Sequence, residues 1–217
     1  MVISREGYST ILLVVILLLL TIGAYWALGS TFLLLSTGLL VPVLLLVIYF
    51  FRDPERSSPQ REDIVLSPAD GRVVSIQEVE EKSYMKSSAI RISIFLSPLD
   101  VHVNRIPVSG DIEFVEYRPG GFSMAWKEHA SEGNEQAIFG VRHEMGKRFL
   151  FRQITGFLAR RIVYHLEEGD RVLAGERFGI MKFGSRMDIL VPPETRLAVR
   201  TGERVWAGET ILATIDE

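Results

Sequence analysis

The chain contains no cysteine, so disulfides and thiolate metal sites are excluded, and no other metal site is expected. It has only four histidines, at 102, 129, 143 and 165, which limits where imidazole chemistry can occur. Its net charge of −3 leaves no basic footprint for nucleic acid. There is no convincing phosphate-cradling glycine motif and no lysine in a recognisable pyridoxal site. Between Ile11 and Phe51 there is no charged residue.

That uncharged run is the main organisational fact. A spanning helix needs about 20 apolar residues, and this stretch is roughly twice as long. Two helices fit, at about 10–28 and 31–51, with a break at Gly29-Ser30. Pro42 inside the second is tolerated where neighbouring helices compensate. A signal peptide has a much shorter apolar core, of about 7–15 residues. The expectation is an N-terminal hairpin, 1–51, transmembrane or re-entrant. Arg5 precedes it, Arg52, Arg56 and Arg61 follow it, and its turn has no basic residue. The positive-inside rule places both ends, and the domain that follows, on the cytoplasmic side of the cell membrane.

Residues 52–63, "RDPERSSPQRED", read as a polar linker with two prolines. The remainder, 64–217, is one domain's worth of chain. Short alternating runs such as 90–95, 149–151 and 189–191, punctuated by Gly and Pro, predict a mostly β fold. A helix is expected over 122–131. The stretch 169–176, "GDRVLAGE", recurs at 202–209 as "GERVWAGE", and 67–74, "SPADGRVV", is a looser relative. Each of the two copies reads as turn, strand, turn, strand. Together they resemble the barrel-sandwich architecture of lipoyl and biotinyl domains, a likeness of fold alone.

In "IMKFGSRMDI", 180–189, strand pattern flanks a Gly-Ser pair. Most such pairs are ordinary bends. A serine hydroxyl can also attack the preceding carbonyl, and glycine there permits the bent backbone this needs. If β-elimination breaks the resulting ester, the serine becomes dehydroalanine, then an imine, then a pyruvoyl group. A pyruvoyl carbonyl forms Schiff bases with amines and withdraws electrons, as pyridoxal phosphate does.

Further motifs occur in a definite order: Phe50-Phe51-Arg52-Asp53-Pro54, Ser67-Pro68-Ala69-Asp70-Gly71, 95–105 "FLSPLDVHVNR", Pro119-Gly120-Gly121-Phe122, Asn134-Glu135, 153–162 "QITGFLARRI", Arg177-Phe178-Gly179-Ile180 and Phe183-Gly184-Ser185-Arg186. With them almost the whole chain resembles the phosphatidylserine decarboxylase family in its short form, which includes archaetidylserine decarboxylase-like proteins. The resemblance implies cleavage between Gly184 and Ser185 into a large β chain (1–184) and a small α chain (185–217) that stay together as a heterodimer. It implies a covalent pyruvoyl group derived from Ser185 and a serine phospholipid substrate in the membrane, with either acyl or isoprenoid tails. Where longer members carry a second histidine, this chain has Arg105. Arg186 follows the serine where Thr or Ser is common, and Gln136 stands at a position that is usually arginine.

Serine attack needs a base, and decarboxylation needs an acid. His102 matches the family histidine. Asp70 matches the family aspartate and can orient an imidazole; it is also a turn residue before glycine. Asp100 is the alternative orienter, because on a strand residues 100 and 102 share a face. Arg105 and Arg186 lie beside these groups in sequence and suit an anionic headgroup, while Arg160-Arg161 could touch lipid. His129 and His143 read as surface residues, and His165 and Asp188 as structural. Two rival readings are a biotinyl-like carrier modified at Lys182 and a membrane-anchored adaptor without chemistry.

Overall fold

A computed structural model describes residues 2–59, 61–121, 133–156, 162–182 and 185–215. The helix expected over 122–131, and with it His129, lies outside them, as do Arg160, Arg161 and Gly184. The chain divides into two units, Met1–Glu55 and Arg56–Glu217.

In the first unit, β1 (Val2–Ile3) precedes α1 (Tyr8–Leu28) and α2 (Thr31–Phe50), and β2 (Arg52–Asp53) follows them. Both helices are long and apolar enough to cross a membrane. They are helical because an uncharged run can satisfy its main chain internally. The break falls at Gly29-Ser30: the Gly29 amide closes α1 on the Tyr25 carbonyl, and the Ser30 carbonyl accepts the Leu33 and Leu34 amides that open α2. Arg52 and Asp53, expected in the linker, instead pair as a strand with Ile3 and Val2. An antiparallel helix pair returns the chain to its start, so the residues flanking it can bond.

The second unit is mostly β, as expected. Its strands are β3 (Ile64–Leu66), β4 (Gly71–Glu81), β5 (Ser87–Leu96), β6 (Val103–Arg105), β7 (Gly110–Arg118), β8 (Gln136–Arg142), β9 (Arg148–Ile154), β10 (Ile162–Tyr164), β11 (Arg171–Val172), β12 (Arg177–Met181), β13 (Ser185–Val191), β14 (Arg196–Leu197), β15 (Arg204–Val205) and β16 (Ile211–Thr214). An antiparallel sheet runs β11-β7-β8-β9-β13-β5-β4-β15, and two smaller sheets run β10-β12-β6 and β14-β16-β3. Alternation sorts the faces of the central strands. Ile92, Ile94, Phe139, Phe151, Met187 and Ile189 enter one core, where the Phe139, Phe151 and Phe178 rings pack with centroids 5.1–5.5 Å apart. Ser93, Arg152 and Asp188, in register with one another, take the opposite face.

The repeated motif is part of a duplicated main-chain pattern. Val73 donates to the Glu203 carbonyl (2.9 Å) and accepts from the Gly202 amide (2.7 Å). Ile112 donates to Asp170 and accepts from Gly169, each at 2.8 Å. Gly208 donates to Ser67, and Gly175 to Ile106, again at 2.8 Å. Both β4 and β7 are irregular just after these residues, between Val73 and Ser75 and between Ile112 and Phe114. Both begin at a glycine pressed on a carbonyl: a Cβ would meet the Phe95 oxygen at 2.2 Å from Gly71 and the Arg142 oxygen at 2.3 Å from Gly110. Thus 67–73 corresponds to 106–112, as 202–208 corresponds to 169–175. The sequence hides this correspondence because Ser67-Pro68-Ala69-Asp70-Gly71 shares only Pro and Gly with Ile106-Pro107-Val108-Ser109-Gly110.

Candidate active site

Ser185 is the first residue of β13 and sits opposite Leu96, the last residue of β5. Its neighbour in the core direction is Met187, two residues along the same face. Ser185 is wholly buried, and its Oγ has no hydrogen-bond partner among the described residues. Such an orphaned group costs about 1–3 kcal/mol. Its position is set by strand pairing on both sides of β13, to β5 and β9.

The chain beyond Leu96 leads to His102. The loop is closed by Asp100, whose amide donates to the Ser97 carbonyl (2.9 Å) while its carboxylate accepts the Ser97 amide (2.8 Å). Arg204 holds the other carboxylate oxygen at 2.5 Å. β6 then pairs with β12, Val103 opposite Ile180, and the His102 carbonyl accepts the Met181 amide at 3.3 Å. Loop 97–102 therefore joins the strand end facing Ser185 to the strand end facing Met181. His102 and Ser185 are brought to the same end of the fold through main-chain pairing.

His102 is wholly buried, with Nδ1 2.9 Å from the main-chain oxygen of Asp100. A carbonyl only accepts, so Nδ1 carries the hydrogen, and a neutral ring keeps its lone pair on Nε2. The expected shared face of a strand is not what links 100 to 102. The segment is a turn, and the link is a carbonyl, with the Asp100 carboxylate directed to Ser97 and Arg204.

Asp70 is buried at the turn into β4. Its Oδ1 accepts the Ala207 amide at 2.8 Å, and one Arg56 nitrogen reaches Oδ2 at 2.8 Å and Oδ1 at 3.1 Å. No hydrogen bond joins Asp70 to His102 among the described residues. Burial pushes the Asp70 carboxyl above its ordinary range. The Ala207 amide and Arg56 pull it back in part, and nearby Asp100 adds to the rise. Arg56, whose sequence context in a polar linker suggests only a topology-setting charge, also binds Glu209.

The two candidate substrate arginines have internal partners. Arg105 is buried and donates to the Gly175 carbonyl at 2.8 Å, while its amide donates to Pro68. Arg186 is wholly buried on the face opposite Ser185, donating to Asp188 Oδ1 at 2.6 Å and Ser93 Oγ at 2.5 Å. Arg152 binds the other Asp188 oxygen at 2.9 Å. Burial raises the Asp188 carboxyl, but Arg152 and Arg186 outweigh it and hold the group down to about 2. Nothing in the pattern "SRMDI" signals this, because its alternation is apolar on one face and charged on the other.

Of the remaining histidines, His143 is not on the surface. It is buried in the β8–β9 turn, its ring edge-on to Phe149 at 6.2 Å, and Nδ1 accepts the Met145 amide at 3.2 Å. Its polar neighbours in sequence are the exposed turn residues. His165 is exposed, and its amide bonds to the Phe178 carbonyl. Lys182 is half-buried just past β12.

A sequence model of phosphatidylserine decarboxylase matches residues 43–213. A phosphatidylserine decarboxylase proenzyme of Salinibacter ruber is 53% identical over 199 residues, covering 91% of this chain and 88% of that protein. This chain belongs to the phosphatidylserine decarboxylase family. A proenzyme of Symbiobacterium thermophilum is 42% identical over 216 residues, covering 100% of this chain and 97% of the relative. One of Wolbachia pipientis is also 42% identical, covering 99% and 92%. The family is one of decarboxylases, and this chain is an enzyme of that class. The match runs through both duplicated halves and Ser185.

Proposed function

We propose that this phosphatidylserine decarboxylase relative cuts its own main chain between Gly184 and Ser185, retains both pieces as a heterodimer, and converts phosphatidylserine to phosphatidylethanolamine and carbon dioxide with a pyruvoyl group made from Ser185. The observation that carries this reading is the Ser185 hydroxyl, buried and without a partner among the described residues, on the first residue of a strand clamped from both sides. An inert serine so placed would turn its hydroxyl to a carbonyl.

In the cut, Ser185 Oγ attacks the Gly184 carbonyl carbon. A C–O bond forms, the peptide C–N bond breaks, and the Oγ proton passes through His102 Nε2 to the freed amine. Loss of the Ser185 α-proton then breaks the Cβ–O bond and releases the Gly184 carboxylate. One water enters and one ammonia leaves, which accounts for a ketone at position 185. His102 acts as base because its Nδ1 hydrogen is tied to the Asp100 carbonyl. Asp70 supplies the negative charge that favours the protonated imidazole.

An uncharged keto group suits a wholly buried position between Leu96 and Met187. That carbonyl supplies an electrophile for the substrate amine and a sink for the electron pair left when the serine carboxylate departs as carbon dioxide. His102 holds the proton that the substrate carbon takes up. Arg105 and Arg186 enter as groups that hold the Gly175 turn and β13 in place, and their reach toward a headgroup phosphate is second to that. The duplicated turns support a barrel-sandwich, lipoyl-like architecture. Helices α1 and α2 act as the membrane anchor, with the arginines at both ends favouring the cytoplasmic side.

Denaturing gels and intact mass test the proposal. The wild type is expected as two chains, the smaller beginning at position 185, blocked against Edman sequencing and carrying one hydroxylamine adduct. Ser185→Ala is expected to stay whole. An active wild type that remains full length would sink the mechanism.

A further inference from the structure

The duplication contains its own control for Asp70. In one half, the Ala207 amide is capped by the Asp70 carboxylate at 2.8 Å. In the other, the corresponding Ala174 amide is capped by the Ser109 hydroxyl at 2.9 Å. The turn needs an oxygen acceptor and no charge. A carboxylate at position 70 is therefore more than the fold requires, and it is unfavourable there. The residue is 5% exposed, and burying an ion costs several kcal/mol unless it is paired.

Arg56 provides the pair. Its side chain is 10% exposed, and one nitrogen spans both Asp70 oxygens while another holds Glu209, two residues beyond Ala207. The Ser109 half has no counterpart to this ion pair among the described residues. Among the described residues, Asp70 Oδ2 accepts from Arg56. The other charges around Asp70 among these residues include Asp100 beside it, Arg204 bound to Asp100, Glu209 across Arg56, and Arg105, whose side chain lies against Gly208. His102 is reached through the Asp100 carbonyl.

We propose that Arg56 is a positioning residue for the self-cleavage: it holds Asp70 as a carboxylate, oriented beside loop 97–102, against the cost of burial. This rests on the reading that Asp70 serves the cut at Gly184–Ser185. Arg56 then has a role that its place in a polar linker does not suggest. It sets the pH range in which the proenzyme can mature. Burial and Asp100 push the Asp70 carboxyl up, and the Ala207 amide and the Arg56 charge pull it down.

The test uses the full chain, synthesised cell-free with phosphatidylcholine vesicles, and follows its splitting on gels from about pH 5 to pH 9. Arg56→Gln is expected to move the half-maximal pH of splitting upward by about one unit, and so to slow splitting about tenfold on the acid side of that midpoint. Arg56→Lys, which keeps the charge, is expected to recover most of the pH shift. Wild-type rate and half-maximal pH in Arg56→Gln would overturn the inference. If Arg56→Gln does not fold by thermal unfolding, Glu209→Gln decides. Relieving Arg56 of its second carboxylate is expected to lower the half-maximal pH, and an unchanged value overturns the inference. A wild type that never splits would overturn the underlying reading of Ser185, whatever the Arg56 variants do.

Discussion

Asp70 and Ser109 perform one structural task with different chemistry, and this makes the residue scale testable. Asp70→Ser keeps an acceptor for the Ala207 amide. It is expected to unfold within a few degrees of the wild type, since about 1 kcal/mol moves a domain of this size by about 2–4 °C, and yet to stay unsplit on gels. Ser109→Ala removes only a cap. It is expected to lose about 1 kcal/mol by thermal unfolding while splitting normally. A split Asp70→Ser chain would show that the charge is dispensable. The pH sign for Asp70 follows from its raised carboxyl. The folded state takes up this proton more readily than the unfolded one, so the residue costs stability at neutral pH and the cost fades on acidification through its raised value.

At the scale of the element, β13 carries opposite chemistry on its two faces. One holds Ser185, Met187 and Ile189. The other holds Arg186 and Asp188, clamped across the pairing to Arg152 on β9 and Ser93 on β5. With the proposed cut, β13 would lead the small chain, and these pairs would help retain it. Asp188→Asn leaves the buried Arg186 and half-buried Arg152 guanidiniums short of a carboxylate and is expected to cost about 3–5 kcal/mol. Thermal unfolding and co-purification of the two chains would report the loss; an unchanged midpoint would remove the clamp. Because Asp188 is held down to about 2, its contribution, on the order of 2 kcal/mol, is present above the ordinary carboxylate value near 4. It is lost as pH falls through about 2, the reverse of Asp70.

For the whole molecule, the division between Met1–Glu55 and Arg56–Glu217 separates the apolar helices from every residue assigned to the chemistry. A chain lacking residues 1–51 is expected to fold and split, since Arg56, Asp70, His102 and Ser185 all remain. On phosphatidylserine in bilayers it is expected to lose about tenfold or more in rate, because the anchor supplies effective concentration at the surface. On detergent-dispersed lipid the loss should be small. Equal rates on bilayers with and without the helices would reject the anchoring role.

Sequence alone determined the features that depend on local pattern. An uncharged run of this length has to close its main-chain bonds within helices, and α1 and α2 follow. Alternation of apolar and polar residues placed β5, β9 and β13, and Gly184-Ser185 stood out because it interrupts such a pattern. Tertiary structure decided what depends on which distant segments meet. His143 is polar by its neighbours and buried by Phe149. Arg186 lies beside Ser185 in sequence, yet strand pleating turns it to the opposite face and onto Asp188. The Nδ1 of His102 meets a main-chain carbonyl because Asp100 closes the turn that follows β5. Arg56 reads as one charge in a polar linker until the fold sets it against Asp70, and Ser109 becomes informative only when two hydrogen-bond patterns are superposed. Side-chain partners follow from where the backbone crosses itself, and composition and periodicity carry no record of those crossings.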